Sequence, residues 1–135
     1  MSEINTDNSF SKNERICSAL QITELFDKGK SITKKPIKLI YLQKPSADND
    51  AKVRVLISVP KKKLHKATDR NRVKRLIREC YRLNKSKLYQ KIDSNCQLLL
   101  AFIYTENLVC EYTAIDDAIN DLFNRLPIKH EESNI

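Results

Sequence analysis

An arginine-flanked helical pattern between two apolar strand patterns is the feature that most constrains this fold. Apolar residues recur at helical spacing in one stripe made of Val73, Leu76, Ile77, Cys80 and Leu83. Thr68 or Asp69 can cap a helix that begins at Arg70 and extends to about Asn84. Residues 53–59 before it alternate in polarity, and residues 96–104 after it form a continuous apolar run, so both indicate strands. If the two strands are parallel, the three elements form a β-α-β unit.

Three further elements are expected on either side of this unit. Residues 16–26 indicate a helix with one buried stripe, and Gly29 follows it where a helix end favours a left-handed residue; the stripe is Ile16, Leu20, Ile22, Leu25 and Phe26. Residues 37–42 form a β-branched strand, and their short connection to residues 53–59 favours an antiparallel hairpin, with a third short strand possible in the connection. A last amphipathic helix over residues 112–126 has Thr113 as a possible cap and Pro127 beyond its end.

The order of these elements is helix, strands, basic helix, strand, helix, which predicts an α+β fold with helices packed on one sheet. The 135 residues are expected to form a single domain over residues 12–127, between flexible tails at residues 1–11 and 128–135. The longest apolar run is far shorter than the roughly 20 residues of a spanning helix, and the N-terminus lacks a secretory pattern. We therefore expect a cytoplasmic protein with no membrane partner.

Four cysteines lie far apart, without a Cys-x-x-Cys pair, namely Cys17, Cys80, Cys96 and Cys110. Three of them fall within apolar patterns. They are therefore expected to be buried free thiols in a reducing compartment, and no metal site is predicted.

Positive charge is concentrated in one segment. Residues 61–91 hold thirteen Lys or Arg against Asp69 and Glu79, whereas the whole chain has a net charge of only +8. Like charges at helical spacing repel each other, so a merely solvated helix would mix Glu with Lys instead. Arginine also outnumbers lysine five to one within residues 70–82, and its planar fork binds phosphate bidentately. This pattern predicts that the partner is a nucleic acid.

Several residues near this segment allow more than one interpretation. Lys61, Lys62 and Lys63 could form a localisation signal, a loop without contacts, or a second phosphate contact beside the helix, which we favour. Asn71 could be a polar surface residue or could hold its arginine neighbours in place. Phe26 and Tyr41, with Ile22 and Ile40, could be core residues or could line a groove on which unpaired bases stack.

No catalytic arrangement is evident. His65 and His130 are isolated near charged residues, and neither has a Ser, Cys or carboxylate at a suggestive spacing. Only one glycine is present, which excludes a P-loop and a glycine-rich dinucleotide loop. We therefore expect a protein that is non-catalytic by itself, with no small-molecule substrate.

A long motif around the basic helix resembles the signature of the bacterial ribonuclease P protein component. The motif is Ala67-x-x-Arg70-Asn71-Arg72-Val73-Lys74-Arg75-x-x-Arg78-Glu79, preceded by Ile57-Ser58-Val59-Pro60-Lys61-Lys62. The resemblance covers about residues 12–126 and includes Leu25-Phe26-x-x-Gly29-Lys30-Ser31. It implies a mixed sheet similar to that of ribosomal protein S5 domain 2, with a left-handed β-α-β crossover. Such crossovers are otherwise right-handed in about 98% of cases.

The resemblance implies an auxiliary subunit of a ribonucleoprotein endonuclease that removes the 5′ leader from precursor tRNA. The RNA subunit would hold the catalytic Mg²⁺ and carry out the chemistry. The matching positions for contact with the catalytic RNA, together with adjoining basic residues, are Lys61, Lys62, Lys63, Arg70, Asn71, Arg72, Lys74, Arg75, Arg78 and Arg82. A cleft between the first helix and the sheet would bind the leader, and its matching positions are Ile22, Phe26, Ile40 or Tyr41, Ser58 and Ala101.

The chain departs from the family pattern at several positions. An aromatic residue is common where Ile22 stands, glycine is usual where Leu56 stands, and the strand tyrosine is displaced from position 40 to Tyr41. A displacement by one residue reverses the face of a strand. The alternative function is a stand-alone RNA-binding or ribosome-associated protein. A major-groove DNA reader is disfavoured because no second helix directly precedes the basic one.

Overall fold

A computed structural model describes residues 19–45, 52–92 and 96–128, which form three helices and four strands. Their bounds in chain order are α1 Ala19–Lys28, β1 Lys30–Lys34, β2 Ile37–Pro45, β3 Val53–Ser58, α2 Ala67–Tyr89, β4 Cys96–Tyr104 and α3 Tyr112–Arg125. The expected α+β class is confirmed. No helix in these ranges is long and apolar enough to cross a membrane.

The four strands form one mixed sheet in the order β1-β2-β4-β3. β4 is antiparallel to β2 and parallel to β3, which confirms the parallel β-α-β unit. The left-handed sense of the crossover stays a prediction of the family resemblance. The expected hairpin between β2 and β3 is wrong, because β4 lies between them. β4 is apolar on both faces, and the central position lets it bury both of them.

The edge strand β1 was not expected from the sequence. It pairs with β2 in an antiparallel register, and only Ile32 is partly buried. A strand with so few apolar residues carries no alternating signal, and its pairing depends on the tight connection to β2. The third short strand that we considered between β2 and β3 would fall in residues 46–51, outside the described residues.

The main core lies between one face of the sheet and the helices α2 and α3. Tyr81 of α2, Phe102 of β4 and Phe123 of α3 pack with ring centroids 6.1 to 6.5 Å apart. All three side chains are buried. Aromatic clusters of this kind add about 0.5–1.5 kcal/mol per pair beyond area burial. The core therefore fixes α2 on the sheet through its buried face.

Helix α2 is longer than expected and differs at both ends. Its N-cap is Lys66, which makes no side-chain cap hydrogen bond, so the expected cap at Thr68 or Asp69 is wrong. Asp69 lies in the first turn, where a carboxylate interacts favourably with the positive end of the helix dipole. The predicted apolar stripe is buried at Val73, Ile77 and Cys80, but Leu83 is 43% exposed. Beyond Cys80, the buried residues are Tyr81, Asn84, Lys85 and Leu88.

The two other helices also differ in detail. The N-cap of α3 is Glu111, so the proposed cap at Thr113 is wrong, whereas Pro127 does lie just beyond the end. Within the described part of α1 only Leu25 is fully buried, and Leu20 is 80% exposed, so the single buried stripe is wrong. The expected contribution of Ile16 lies outside the described residues.

Gly29, at the junction of α1 and β1, has no positive φ, so the expected left-handed cap is wrong. A Cβ atom there would lie 2.3 Å from the Leu25 carbonyl oxygen and 3.0 Å from the Tyr41 carbonyl oxygen. Glycine is needed for this close approach. It allows the Gly29 N–H to donate to the Leu25 oxygen at 2.8 Å and keeps α1 against the sheet.

The cysteines in the described ranges are free thiols at Cys80, Cys96 and Cys110. Only Cys80 is fully buried, so the expected burial is wrong for Cys96 and Cys110, which are half-buried. Cys17 and His130 lie outside the described residues, as do the expected tails apart from Ile128.

Candidate nucleic-acid interface

The connection from β3 to α2 presents three lysines. Lys61, Lys62 and Lys63 are all exposed, directly after Pro60. Backbone N–H groups of Lys63 and Leu64 donate to the Pro60 carbonyl oxygen at 3.0 and 3.2 Å, and the Leu64 side chain is buried. The loop is therefore a fixed turn anchored in the core, which holds three ammonium groups beside the start of α2. The interpretation as a loop without contacts is disfavoured.

Two of the predicted phosphate ligands already have protein partners. Arg70 donates from Nη1 to the carbonyl oxygens of Leu64 at 2.9 Å and His65 at 2.8 Å, which ties the lysine loop to the helix. Arg82 forms a bidentate pair with Glu79, with Nη2 to Oε2 at 2.6 Å and Nε to Oε1 at 3.2 Å. This hydrogen bond lowers the pKa of Glu79. Arg70 is therefore a positioning residue, and the charge of Arg82 is partly neutralised.

Four other cations in the first half of the helix form no such pair. Within the described part of the chain, no carboxylate forms a recorded ion pair with Arg72, Lys74, Arg75 or Arg78. The three arginines are exposed and Lys74 is half-buried. Asn71 is exposed on the same surface, and no hydrogen bond to an arginine is recorded for it in the described ranges. We call these four cations the basic face of α2.

The opposite face of the sheet carries the predicted leader positions, and strand alternation assigns them. Ile40 pairs with Ala101, and both belong to the small apolar cluster on the α1 side. Tyr41 packs against the main core on the other face. Of the two positions that the sequence left open, Ile40 therefore faces α1. Tyr41, which we had also considered for the leader site, does not, because successive strand residues point to opposite faces.

Helix α1 covers only part of this face. Leu25 is buried against the sheet, and Lys44 Nζ contacts Glu24 Oε1 at 2.8 Å. The hydrogen bond to Lys44 lowers the pKa of Glu24. Arg54 Nη1 donates to Gln21 Oε1 at 3.4 Å. Both polar contacts lie toward the end of the sheet where β2 ends and β3 begins, so α1 is held mainly at that end.

The accessible surface beside α1 is mixed in character. Phe26 is 46% exposed, so it is not a core residue, and Ile22 and Ser58 are half-buried. Ala101 has no exposed surface and Ile40 is only 9% exposed, so both form the floor and offer little direct contact. The structure therefore brings together four of the six predicted leader positions on this face, and Phe26, on α1 beside it, is the most exposed apolar residue of the predicted set.

Sequence reasoning missed three half-buried apolar strand residues on the same face, Leu42, Leu56 and Ile103. All three could have been found from strand alternation, because each lies two residues from a predicted position, Leu42 after Ile40, Leu56 before Ser58 and Ile103 after Ala101. Among the described residues, no group of three or more His, Cys, Asp or Glu side chains could hold a metal ion. His65 is exposed.

Comparisons with known proteins agree on one family. The family model described as Ribonuclease P matches residues 10–126. The chain is 32% identical over 117 residues to a ribonuclease P protein component of Porphyromonas gingivalis, covering 86% of this chain and 85% of the relative. It is 34% identical over 128 residues to the ribonuclease P protein component of Clostridium acetobutylicum, covering 92% and 98%.

A solved structure supports the fold independently. The RNase P protein from Thermotoga maritima superposes with a TM-score of 0.66 at 22% identity, covering 85% of this chain and 99% of that one. At this identity the likeness shows the fold alone. Together with the sequence matches, it shows that the chain belongs to the ribonuclease P protein component family.

Proposed function

We propose that this protein binds the catalytic RNA of ribonuclease P through the basic face of α2 and the lysine loop, and binds the 5′ leader of precursor tRNA beside α1. The single observation that carries the first contact is a set of four cations, the exposed Arg72, Arg75 and Arg78 and the half-buried Lys74, that form no recorded ion pair within the described residues. Such a set repels itself unless a polyanion neutralises it. α2 spans about 34 Å at about 1.5 Å per residue, enough to contact several phosphates.

The second contact is proposed from the surface beside α1. Phe26 offers an exposed ring, with Ile22 and Ser58 close to the same face. Unpaired bases stack on aromatic rings, and such stacking contributes about 1–3 kcal/mol per base. A single-stranded leader fits this surface better than a duplex, whose bases already stack on each other.

The protein's part in the reaction is electrostatic. The RNA subunit would hold the catalytic Mg²⁺, and the cations of α2 would neutralise phosphates that otherwise repel each other when the two RNAs meet. The holoenzyme therefore needs less Mg²⁺ than the RNA alone. The free thiols at Cys80, Cys96 and Cys110 support a reducing compartment, and we propose the cytoplasm.

A cleavage assay tests this function. The chain is added to ribonuclease P RNA and precursor tRNA at a Mg²⁺ concentration at which the RNA alone is inactive. We expect the leader to be removed at the mature 5′ end, and we expect Arg75→Ala/Arg78→Ala to lose this stimulation. The control Lys28→Ala/Lys30→Ala removes two exposed charges outside α2, where α1 ends and β1 begins, and should keep it.

The alternative, a stand-alone RNA-binding protein, gives a different result. Such a protein would bind structured RNA tightly and yet leave precursor cleavage unchanged at every Mg²⁺ concentration. Binding without stimulation would thus refute the proposed function.

A further inference from the structure

The two arginines of the Arg70-Asn71-Arg72 motif leave α2 on different sides. With about 3.6 residues per turn, positions roughly 7, 11 and 18 residues apart lie on the same side of an α-helix. All three later positions that share the side of Arg70 are buried, namely Ile77, Tyr81 and Leu88. On the side of Arg72, the corresponding positions are Glu79, which is half-buried, and Leu83 and Gln90, which are exposed. Arg70 therefore extends from the buried side of the helix, and Arg72 extends from the exposed side.

The guanidinium of Arg70 is bound by the protein itself. Side chains of a helix lean toward its N-terminus, so Arg70 reaches the residues that precede the N-cap Lys66. Its Nη1 donates to the carbonyl oxygens of Leu64 at 2.9 Å and of His65 at 2.8 Å. This nitrogen carries two hydrogens, so each carbonyl oxygen receives one of them. One arm of the planar fork therefore faces the backbone of the loop.

These two carbonyl oxygens directly follow the lysine loop, residues 61–63. Within the loop, the N–H groups of Lys63 and Leu64 donate to the Pro60 carbonyl oxygen, and the Leu64 side chain is buried in the main core. Arg70 adds a polar anchor at the point where the loop enters α2. The three lysines between these anchors are exposed. Ammonium groups that are held in this way need less ordering when they bind a polyanion.

We propose that Arg70 acts on RNA only through the lysine loop, as a positioning residue that holds the three ammonium groups beside the start of α2, whereas Arg72 contacts phosphate directly. This inference rests on the proposed function and deepens it, because it assigns different roles to two arginines that the sequence motif does not distinguish. Loss of Arg70 leaves the number of phosphate contacts unchanged and adds the cost of ordering the loop on binding. Loss of Arg72 removes a phosphate contact.

The first test is the salt dependence of binding to ribonuclease P RNA. Arg70→Ala should lower the affinity about two- to tenfold, the range for ordering one long side chain on binding, and by a similar factor at every salt concentration. Arg72→Ala is the matched control, because it removes the same residue type from the same motif. It should reduce the slope of log affinity against log salt by about 0.7 to 0.9, the value for one phosphate contact. An equal reduction of the slope in Arg70→Ala would show that Arg70 binds phosphate itself and would overturn the inference.

The second test combines each change with loss of the loop charges, in the triple variant Lys61→Ala/Lys62→Ala/Lys63→Ala. Without its lysines the loop has no ammonium group to position, so Arg70→Ala should lower the affinity of the triple variant no further. Arg72→Ala should lower it by the same factor as in the wild-type background, because independent contacts add. If Arg70→Ala keeps its full effect in the triple variant, Arg70 does not act through the lysines and the inference is wrong.

Limited trypsin digestion of the free protein tests the anchor without RNA. Mass spectrometry measures cleavage after the three lysines of the loop. This cleavage should be faster in Arg70→Ala than in the wild-type protein, because loss of the anchor lets the loop open locally, and it should be unchanged in Arg72→Ala. Equal rates in all three proteins would refute the anchor.

Thermal melting shows whether each variant is folded. Arg70→Met fills the space of the side-chain stem without the guanidinium, so it should behave as Arg70→Ala in all three tests and replaces that variant if Arg70→Ala does not fold. If the wild-type protein does not bind ribonuclease P RNA, the proposed function fails whatever the digestion shows, and the role of Arg70 in RNA binding fails with it.

Discussion

Removing two arginines from the basic face of α2 should lower both the affinity for ribonuclease P RNA and its dependence on salt. Arg75 and Arg78 are exposed and lie three residues apart on adjacent turns. Each phosphate contact contributes about 0.7 to 0.9 to the slope of log affinity against log salt, so two contacts contribute about 1.4 to 1.8. Raising the salt concentration from about 50 to 200 mM weakens the binding of both proteins. The factor by which wild-type affinity falls should be about 7 to 12 times larger than the factor for the double variant.

Filter binding or fluorescence titration over a salt series measures this slope directly. Lys28→Ala/Lys30→Ala serves as the control for the loss of two charges alone, because both residues are exposed and lie outside α2, where α1 ends and β1 begins. Arg82→Ala should reduce the slope less than Arg78→Ala does, because Glu79 already partly neutralises Arg82. A slope unchanged in Arg75→Ala/Arg78→Ala would mean that neither guanidinium contacts phosphate, and the interface would have to be placed elsewhere.

Three further outcomes are expected. Phe26→Ala should leave the melting temperature nearly unchanged, because Phe26 is 46% exposed. Titrations with precursor and mature tRNA should show that the variant binds the precursor about 1–3 kcal/mol more weakly, whereas its binding of mature tRNA is unchanged. Gly29→Ala should destabilise the fold by about 1–3 kcal/mol in urea denaturation, because its Cβ would lie 2.3 Å from the Leu25 oxygen; a neutral effect would contradict this packing. Burial, with a smaller effect of Asp116, raises the pKa of Cys80 to about 12. The free energy of unfolding should therefore fall as pH rises above about 8.5, where the unfolded thiol ionises, and urea denaturation of Cys80→Ala should show a smaller fall.

The sequence predicts those elements of the fold whose own apolar residues determine which surface is buried. The body of α2 was predicted because Val73, Ile77 and Cys80 are all buried in the main core, and β4 because residues 98–104 form an uninterrupted apolar run. The second half of α2 was not, because beyond Cys80 the helix packs against α3 as well. Asn84 donates to Asp116 Oδ1 at 3.0 Å, and such a polar contact between helices leaves no signal in the apolar pattern.

Strand pairing was the least predictable feature, for a physical reason. The connection between β2 and β3 is short, which favours a hairpin locally. When β4 lies between them instead, it is paired with a strand on each side, and this central position lets it bury both of its apolar faces. Such a gain depends on pairing between residues that are 45 to 67 positions apart, from Val53 with Leu98 to Ile37 with Tyr104, so no local pattern records it. The edge strand β1 pairs locally with β2, but its one partly buried residue, Ile32, was too little to give an alternating signal.

The sequence predicted the charged residues of the candidate site, but it did not predict which groups of the folded protein they contact. Spacing placed Arg70 and Arg78 alike on α2, yet Arg70 is tied to the loop carbonyl oxygens and Arg78 forms no recorded ion pair in the described ranges. The difference arises because the loop folds back through buried Leu64, bringing two acceptors to Arg70 alone. Contacts of this kind decide whether an arginine positions the backbone or binds phosphate, and they exist only in the folded chain.

The difference between the buried and the exposed side of α2 explains how so basic a helix is held in place. Like charges three and four residues apart on α2 cost a few tenths of a kcal/mol per pair in the free protein. The rings of Tyr81, Phe102 and Phe123 offset this cost on the opposite side of the helix. Because the main packing contacts are on the buried side, Arg72, Arg75 and Arg78 on the exposed side need no ion pair to hold the helix, and none is recorded for them within the described residues. In the proposed function, RNA neutralises these cations on a surface that the core already holds in place, so the interface is preorganised for phosphate.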